Sequence, residues 1–294
     1  MGFFLLLLYT SFLKGMIIMK KARVLFISQD ITPYLDETYV GKISRKLPQG
    51  IQERGKEIRT FMPKYGCINE RRHQLHEVIR LSGMNLVIND VDHPLIIKVA
   101  SIPSARMQVY FIDNEEFFSR KSTLNDKTTG KFFDDNDERA MFFVRGVAET
   151  VKKLGWQPDI IHCHGWFTSL MPLYIKKYYA EDPIFADTKI VVSLYEDEYA
   201  KTLGKKFMEK LAYDGFNKKD LKHISEESSH LNMLKQSIEY ADGLIQGSEK
   251  MSPEVEKFVK KSGKPFLGFK NEVEYMDAFN EFYDVILEEE NVLS

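Results

Sequence analysis

The run ARVLFIS, residues 22–28, is apolar with little interruption and rich in β-branched side chains, the pattern of a strand buried on both faces. SRKLPQGIQERG then reads as a helix with Gly55 at its C-terminal stop, and KEIRTFMP returns as a second strand. Strand, helix and strand in that order make a βαβ unit, whose right-handed crossover sets the two strands parallel. From Glu77 to Asp113 the pattern shortens to EVIRLSGMNLVIND, HPLIIKVASIP and ARMQVYFID, which predict hairpins inserted on this frame. Glu115 to Asp135 is polar and predicts a surface loop. DNDERAMFFVRGVAETVKKLGW carries Met141, Phe142, Val144, Val147, Ala148 and Val151 close to the helical period.

PDIIHCH and TKIVVSLY are two further buried strands, with TSLMPLYIKKYY as the helix between them. ISEESSHLNMLKQSIEYADGLIQGS runs from a helix into a strand. SPEVEKFVKKSG is a helix with Ser252 as N-cap, Pro253 in its first turn and Gly263 at its close. EVEYMDAFNEFYDVILEEE reads as one more amphipathic helix; its aromatics at helical spacing suit core contacts or a partner face. No repeat or long linker divides the chain. The expected fold class is α/β: a single doubly wound Rossmann-like domain with inserted β-hairpins, spanning residues 20–294.

Composition narrows the function. Lys plus Arg (41) nearly balances Asp plus Glu (43), and a net charge of −2 provides no field for nucleic acid or an anionic membrane. Cys67 and Cys163 lie far apart, as in a reducing compartment. The apolar stretch from Phe3 to Leu13 is too short to span a bilayer and lacks a basic flank and a cleavage site. Translation from Met16 or Met19 is expected, with residues 1–19 as a disordered or non-native extension and the protein in the cytoplasm.

The densest chemistry is DIIHCHGW. Residues two apart in a strand share a face, so His162 and His164 project together while Cys163 points away. No third or fourth ligand sits at metal spacing, and the alternation separates the thiol from both imidazoles, so neither a metal site nor a nucleophile is expected. His162 and Cys163 read as buried structural residues. His164, at the carboxyl end of a parallel strand, stands where open α/β sheets place their ligand crevices, and Trp166 is a candidate platform for a sugar face. EDEYA near Glu196 offers paired carboxylates but reads as an exposed charged loop.

PDIIHCHGWFTSLMPLYIK resembles a segment of bacterial glycogen synthases and plant starch synthases. VLFISQDITPY, LPQGIQERGKEIRTFMPKYG, DNDERAMFF and HLNMLKQSIEYADGLIQGSEKMSPEV resemble further segments of the same family, in the same order. The resemblance implies the N-terminal of two Rossmann-like domains, in a family that transfers glucose from ADP-glucose to an α-1,4-glucan with retention. That domain holds the acceptor, whereas the C-terminal domain binds most of the nucleotide. About forty residues follow Pro253, and a second such domain needs well over a hundred, so only the first is expected in this chain.

Carried over by residue, the resemblance makes His164, Asp135 and Arg139 candidates to face a glucosyl unit. Elsewhere the chain departs from the family: its HDW aspartate is Gly165, and its T-x-H-N turn reads Ser193, Leu194, Tyr195, Glu196. The lysine of its lysine-glycine-glycine loop becomes Asp36, and the two glycines become Thr38 and Tyr39. Lys42 lies nearby at the wrong spacing to replace that lysine. The expectation is a synthase homologue without autonomous activity and without a cofactor, acting in glucan binding or in regulation of a complete synthase. The alternative is one chain of a split, active synthase whose nucleotide domain comes from another polypeptide.

Overall fold

The computed structural model describes residues 21–196, 199, 202–204 and 206–288. The expected extension, residues 1–19, lies outside them, as do residues 197, 198 and 200 of the EDEYA run. β1 (Arg23–Ser28) is central to the sheet, buried along all but its first residue. It pairs in parallel with β2 (Glu57–Pro63) on one side and β7 (Ile160–His164) on the other. The order is β10-β9-β8-β7-β1-β2-β6-β5-β3. Here β3 is His76–Glu77, β5 Val91–Ile102, β6 Met107–Asp113, β8 Lys189–Leu194, β9 Gly243–Gln246 and β10 Phe266–Leu267. Pairing is parallel from β10 to β6, so the chain is doubly wound and its order reverses between β1 and β7.

The inserted hairpin is present. β4 (Met84–Ile88) and β5 pair antiparallel through a two-residue turn, Asn89 and Asp90, both with φ near +55° (51° and 62°). Two left-handed residues match the twist of the flanking strands, and Asn and Asp tolerate that region.

Five helices of ten residues or more flank the sheet: α1 (Tyr39–Glu53), α2 (Asn136–Leu154), α3 (His230–Tyr240), α4 (Pro253–Ser262) and α5 (Tyr275–Glu288). α4 begins on Ser252, whose hydroxyl accepts from the Val255 N–H, and ends at Gly263 with φ +67°. α1 starts earlier than the sequence suggests, because extended Thr38 caps it by accepting from the Gly41 N–H at 2.8 Å. TSLMPLYIKKYY forms no continuous α-helix: one α turn (Met171–Leu173) opens into a π turn (Tyr174–Tyr178). The polar stretch after β6 buries Phe117 and Phe118 in a short helix before it becomes a loop.

α5 settles on the sheet. Its Tyr275, Phe279, Phe282, Tyr283 and Ile286 pack with Val40, Ile43 and Leu47 of α1 against Phe26, Ile160 and Val191, so the aromatic stripe is core. Arg54, just past α1, pairs with Asp277 at 2.6 Å, and Lys56 reaches Asp284 at 2.7 Å and Asn280 at 2.8 Å. Among the described residues no helix is long and apolar enough to cross a membrane.

The Tyr283 hydroxyl is buried against His162 Nδ1 at 2.6 Å. Tyr283→Phe leaves that nitrogen unpaired in the core and is expected to cost about 1–3 kcal/mol, read as a lower midpoint in urea with an unchanged slope.

Candidate functional site

The reversal between β1 and β7 leaves a crevice at their carboxyl ends, built from Gln29, Asp30 and the turn after His164. Gly165 in that turn has φ +83°, and a Cβ there would lie 2.4 Å from Gln29 Cδ. Glycine therefore answers both the backbone and the close approach of Gln29, whose Oε1 accepts weakly from the Phe167 N–H at 3.4 Å.

His162 and His164 share a face, with ring centroids 4.0 Å apart, and Cys163 points to the opposite core. Both His162 nitrogens are engaged, by Tyr283 and by Ser193 Oγ at 2.8 Å. Burial, with His164 adjacent, holds its pKa well below the ordinary range. Burial likewise pushes the Cys163 thiol up, which suits a packed side chain and not a nucleophile. His164 is lowered by burial to about 3 and is neutral at physiological pH. Its Nδ1 meets the Tyr195 hydroxyl at 2.7 Å, while Nε2 has no hydrogen-bond partner. Tyr39, half exposed, stands edge-on to the Tyr195 ring at 6.2 Å.

Trp166 is only 3% exposed, its indole packed by Tyr199 (4.7 Å), Phe167 (5.3 Å) and Phe132 (5.7 Å). The platform expected from sequence is thus enclosed, since the turn directs the ring into the core. Asp135 and Arg139 are also committed within the protein. Asp135 makes a two-pronged pair with Arg120, at 3.0 and 2.5 Å. Arg139 is fully buried and donates to the Phe117 carbonyl (2.8 Å) and to Asn136 Oδ1 (2.5 Å). Its guanidinium lies 5.2–6.0 Å from the rings of Phe118, Phe133, Tyr65 and Phe167. Burial lowers its pKa to about 10, which leaves it charged.

Beside this cluster is a cavity of about 330 Å³. Asp36 and Thr38 are on its rim, Tyr65 and Asp30 on its wall, and Lys127 also lines it. Thr38 donates to Asp30 Oδ2 while it caps α1. Tyr39, the first residue of α1, is not a lining residue, and Lys42 is paired with Glu37 at 2.9 Å. Lys127 and Asp30 escaped the sequence reading. Lys127 belongs to the loop before α2, and no local pattern signals that this loop reaches the cavity. No group of three or more His, Cys, Asp or Glu converges among the described residues in a way that could hold a metal ion.

A family model described as the starch synthase catalytic domain matches residues 23–264. The chain belongs to that family. Glycogen synthase of Chlorobium limicola is 35% identical over 233 residues, which cover 79% of this chain and 47% of that protein. Glycogen synthase of Chlorobaculum tepidum is 34% identical over 261 residues, 85% of this chain and 52% of that protein. The chain therefore spans about half the length of the curated relatives it matches. The catalytic domain of starch synthase IV from Arabidopsis thaliana, solved with ADP and acarbose, superposes with a TM-score of 0.68 at 19% identity. The match covers 86% of this chain and 52% of that one, a likeness of fold. Within this synthase family frame, the doubly wound architecture holds as expected.

The buried imidazoles make stability depend on pH. The unfolded chain protonates His164 below about 6.5, whereas the folded one keeps it neutral down to about 3. The unfolded state thus binds more protons in that window, and stability is lost as pH falls through it. The slope is at most about 1.4 kcal/mol per pH unit for each histidine, with His162 adding in the same direction. Urea unfolding at pH 7 and pH 5 is expected to show a smaller loss in His164→Gln than in the natural chain.

Proposed function

We propose that this domain binds α-glucan at the crevice beside His164 and does not by itself elongate it, serving alongside a complete synthase as a binding or regulatory element. The observation that carries this reading is the pairing of buried His164 with Tyr195 under the edge of Tyr39, next to a separate cavity whose lining includes Asp36. The His164 nitrogen that would meet a donor sugar faces into the core without a partner, and the other is already used by a phenol. An anion on the rim repels a sugar diphosphate. A lost charge-assisted contact of about 1.5–3 kcal/mol lowers binding or rate ten- to more than a hundredfold. Neutral glucan hydroxyls meet no such penalty, and Asp30, Thr38 and Asp36 supply acceptors for them. Starch synthase IV, which shares this fold, was solved with ADP and acarbose, and a carbohydrate-binding role for this domain is in keeping with that.

A second reading is favoured by Lys127, which places a cation on the same cavity. There the chain is one part of a split synthase, with the nucleotide domain supplied by another polypeptide and Lys127 standing in for the absent loop lysine.

Labelled ADP-glucose and glycogen separate the two. The purified chain is expected to be retarded in a glycogen-containing native gel and to incorporate no label above the protein-free blank. Steady incorporation by the chain alone would overturn the proposal. Incorporation that appears only with a host fraction, and is lost in Lys127→Ala, establishes the split enzyme.

A further inference from the structure

At the opposite end of the parallel strands from the crevice lies a second hollow, of about 500 Å³, where β2 and β6 begin and β5 ends. Ile58, Ile102 and Met107 give it an apolar floor. Its charge is of one sign: Arg59 and Arg106 line it, with the amides of Gln52 and Gln108, and none of its lining residues is acidic.

Arg59 is held in place before any ligand arrives. Its guanidinium carbon lies 5.8 Å from the Tyr110 ring centre and 5.1 Å from that of Trp156, and Nη1 donates to the Tyr110 hydroxyl at 3.0 Å. Its Nε is buried and has no hydrogen-bond partner. Neither Arg59 nor Arg106 forms an ion pair among the described residues. Glu57, two positions before Arg59 on β2, is engaged by Trp156 Nε1 at 2.5 Å and Arg23 at 3.4 Å. Arg45 of α1 extends over the adjoining turn to Ser104 Oγ at 2.9 Å and adds a third cation beside the hollow. A buried, unpaired donor on a fixed charge is costly unless an acceptor completes it.

We propose that this hollow is a binding site for a small phosphorylated sugar. A planar guanidinium presents paired N–H groups that match phosphate oxygens, and Arg59 and Arg106 together can neutralise a dianion. Gln52, Gln108 and Ser101 suit sugar hydroxyls, and the apolar floor suits a C–H face. A nucleotide base would need a free aromatic face. The Tyr110 ring is stacked on Phe61 at 5.0 Å and has Arg59 against it, so none is offered. The site lies at the opposite end of the strands from His164 and does not depend on the function proposed for the crevice.

Calorimetry and thermal unfolding of the purified chain test it, with glucose 6-phosphate, inorganic phosphate and glucose as probes. Glucose 6-phosphate is expected to bind and raise Tm, phosphate to bind more weakly and glucose not at all, with affinity falling as salt rises. Arg106 is exposed, so Arg106→Ala is expected to keep the ligand-free Tm and to weaken glucose 6-phosphate about ten- to a hundredfold. Arg59→Lys keeps the charge but loses the fork, and weakens binding in the same sense. An equal response to glucose, affinity unchanged in both variants, or no binding of glucose 6-phosphate at millimolar concentration overturns the proposal.

Discussion

Two imidazoles lie side by side in the middle of a parallel sheet, and burial stabilises the domain only with both uncharged. Three hydroxyls from two separated parts of the chain meet this demand: Tyr283 and Ser193 for His162, and Tyr195, two residues after Ser193, for His164. Every neighbouring choice follows from it. α5 must lie flat on the sheet to bring Tyr283 within reach, and β8 must be in register with β7 to deliver Ser193 and, just past its end, Tyr195. A charged imidazole in that position would need solvent or an acid, and the packing offers neither.

The same economy of open polar surface governs Arg139. Enclosed by four aromatic rings and tied to a backbone carbonyl, it stiffens the start of α2 and the loop above it instead of facing a ligand. Trp166 repeats the pattern on the other side of the turn. The residues that the family resemblance brings to a glucosyl unit are, in this chain, engaged by other protein groups: His164 by Tyr195, Asp135 by Arg120, and Arg139 by the Phe117 carbonyl and Asn136. What stays open is a cavity whose lining includes Asp36, Thr38 and Lys127.

Much of the fold was readable in the linear pattern, because strands buried on both faces write continuous apolar runs, as ARVLFIS and DIIHCH do. Ser252, Pro253 and Gly263 likewise mark both ends of α4 by local chemistry alone. The start of α1 was misplaced because its first turn sets buried Val40 and Gly41 between exposed Tyr39 and Lys42, too short an apolar signal to announce a helix; only the Thr38 cap marks it. The site was less legible. That His164 stands at the crevice follows from strand alternation. Its partner Tyr195 is 31 residues distant, and the burial of Trp166 depends on Phe132 and Tyr199, which no local spacing places there. Lys127 reaches the cavity through the path of a loop, a tertiary fact without a short-range signature.

The contacts of Arg54 and Lys56 with α5 join positions more than 220 apart in sequence (separations of 223 and 224). They close nearly the whole described chain into one loop. Closing so large a loop is slow, and its entropic cost is repaid only when both ends dock together. The packing and these contacts tie α1, β1 and α5 into one unit, so their amide hydrogens are expected to exchange through a shared opening.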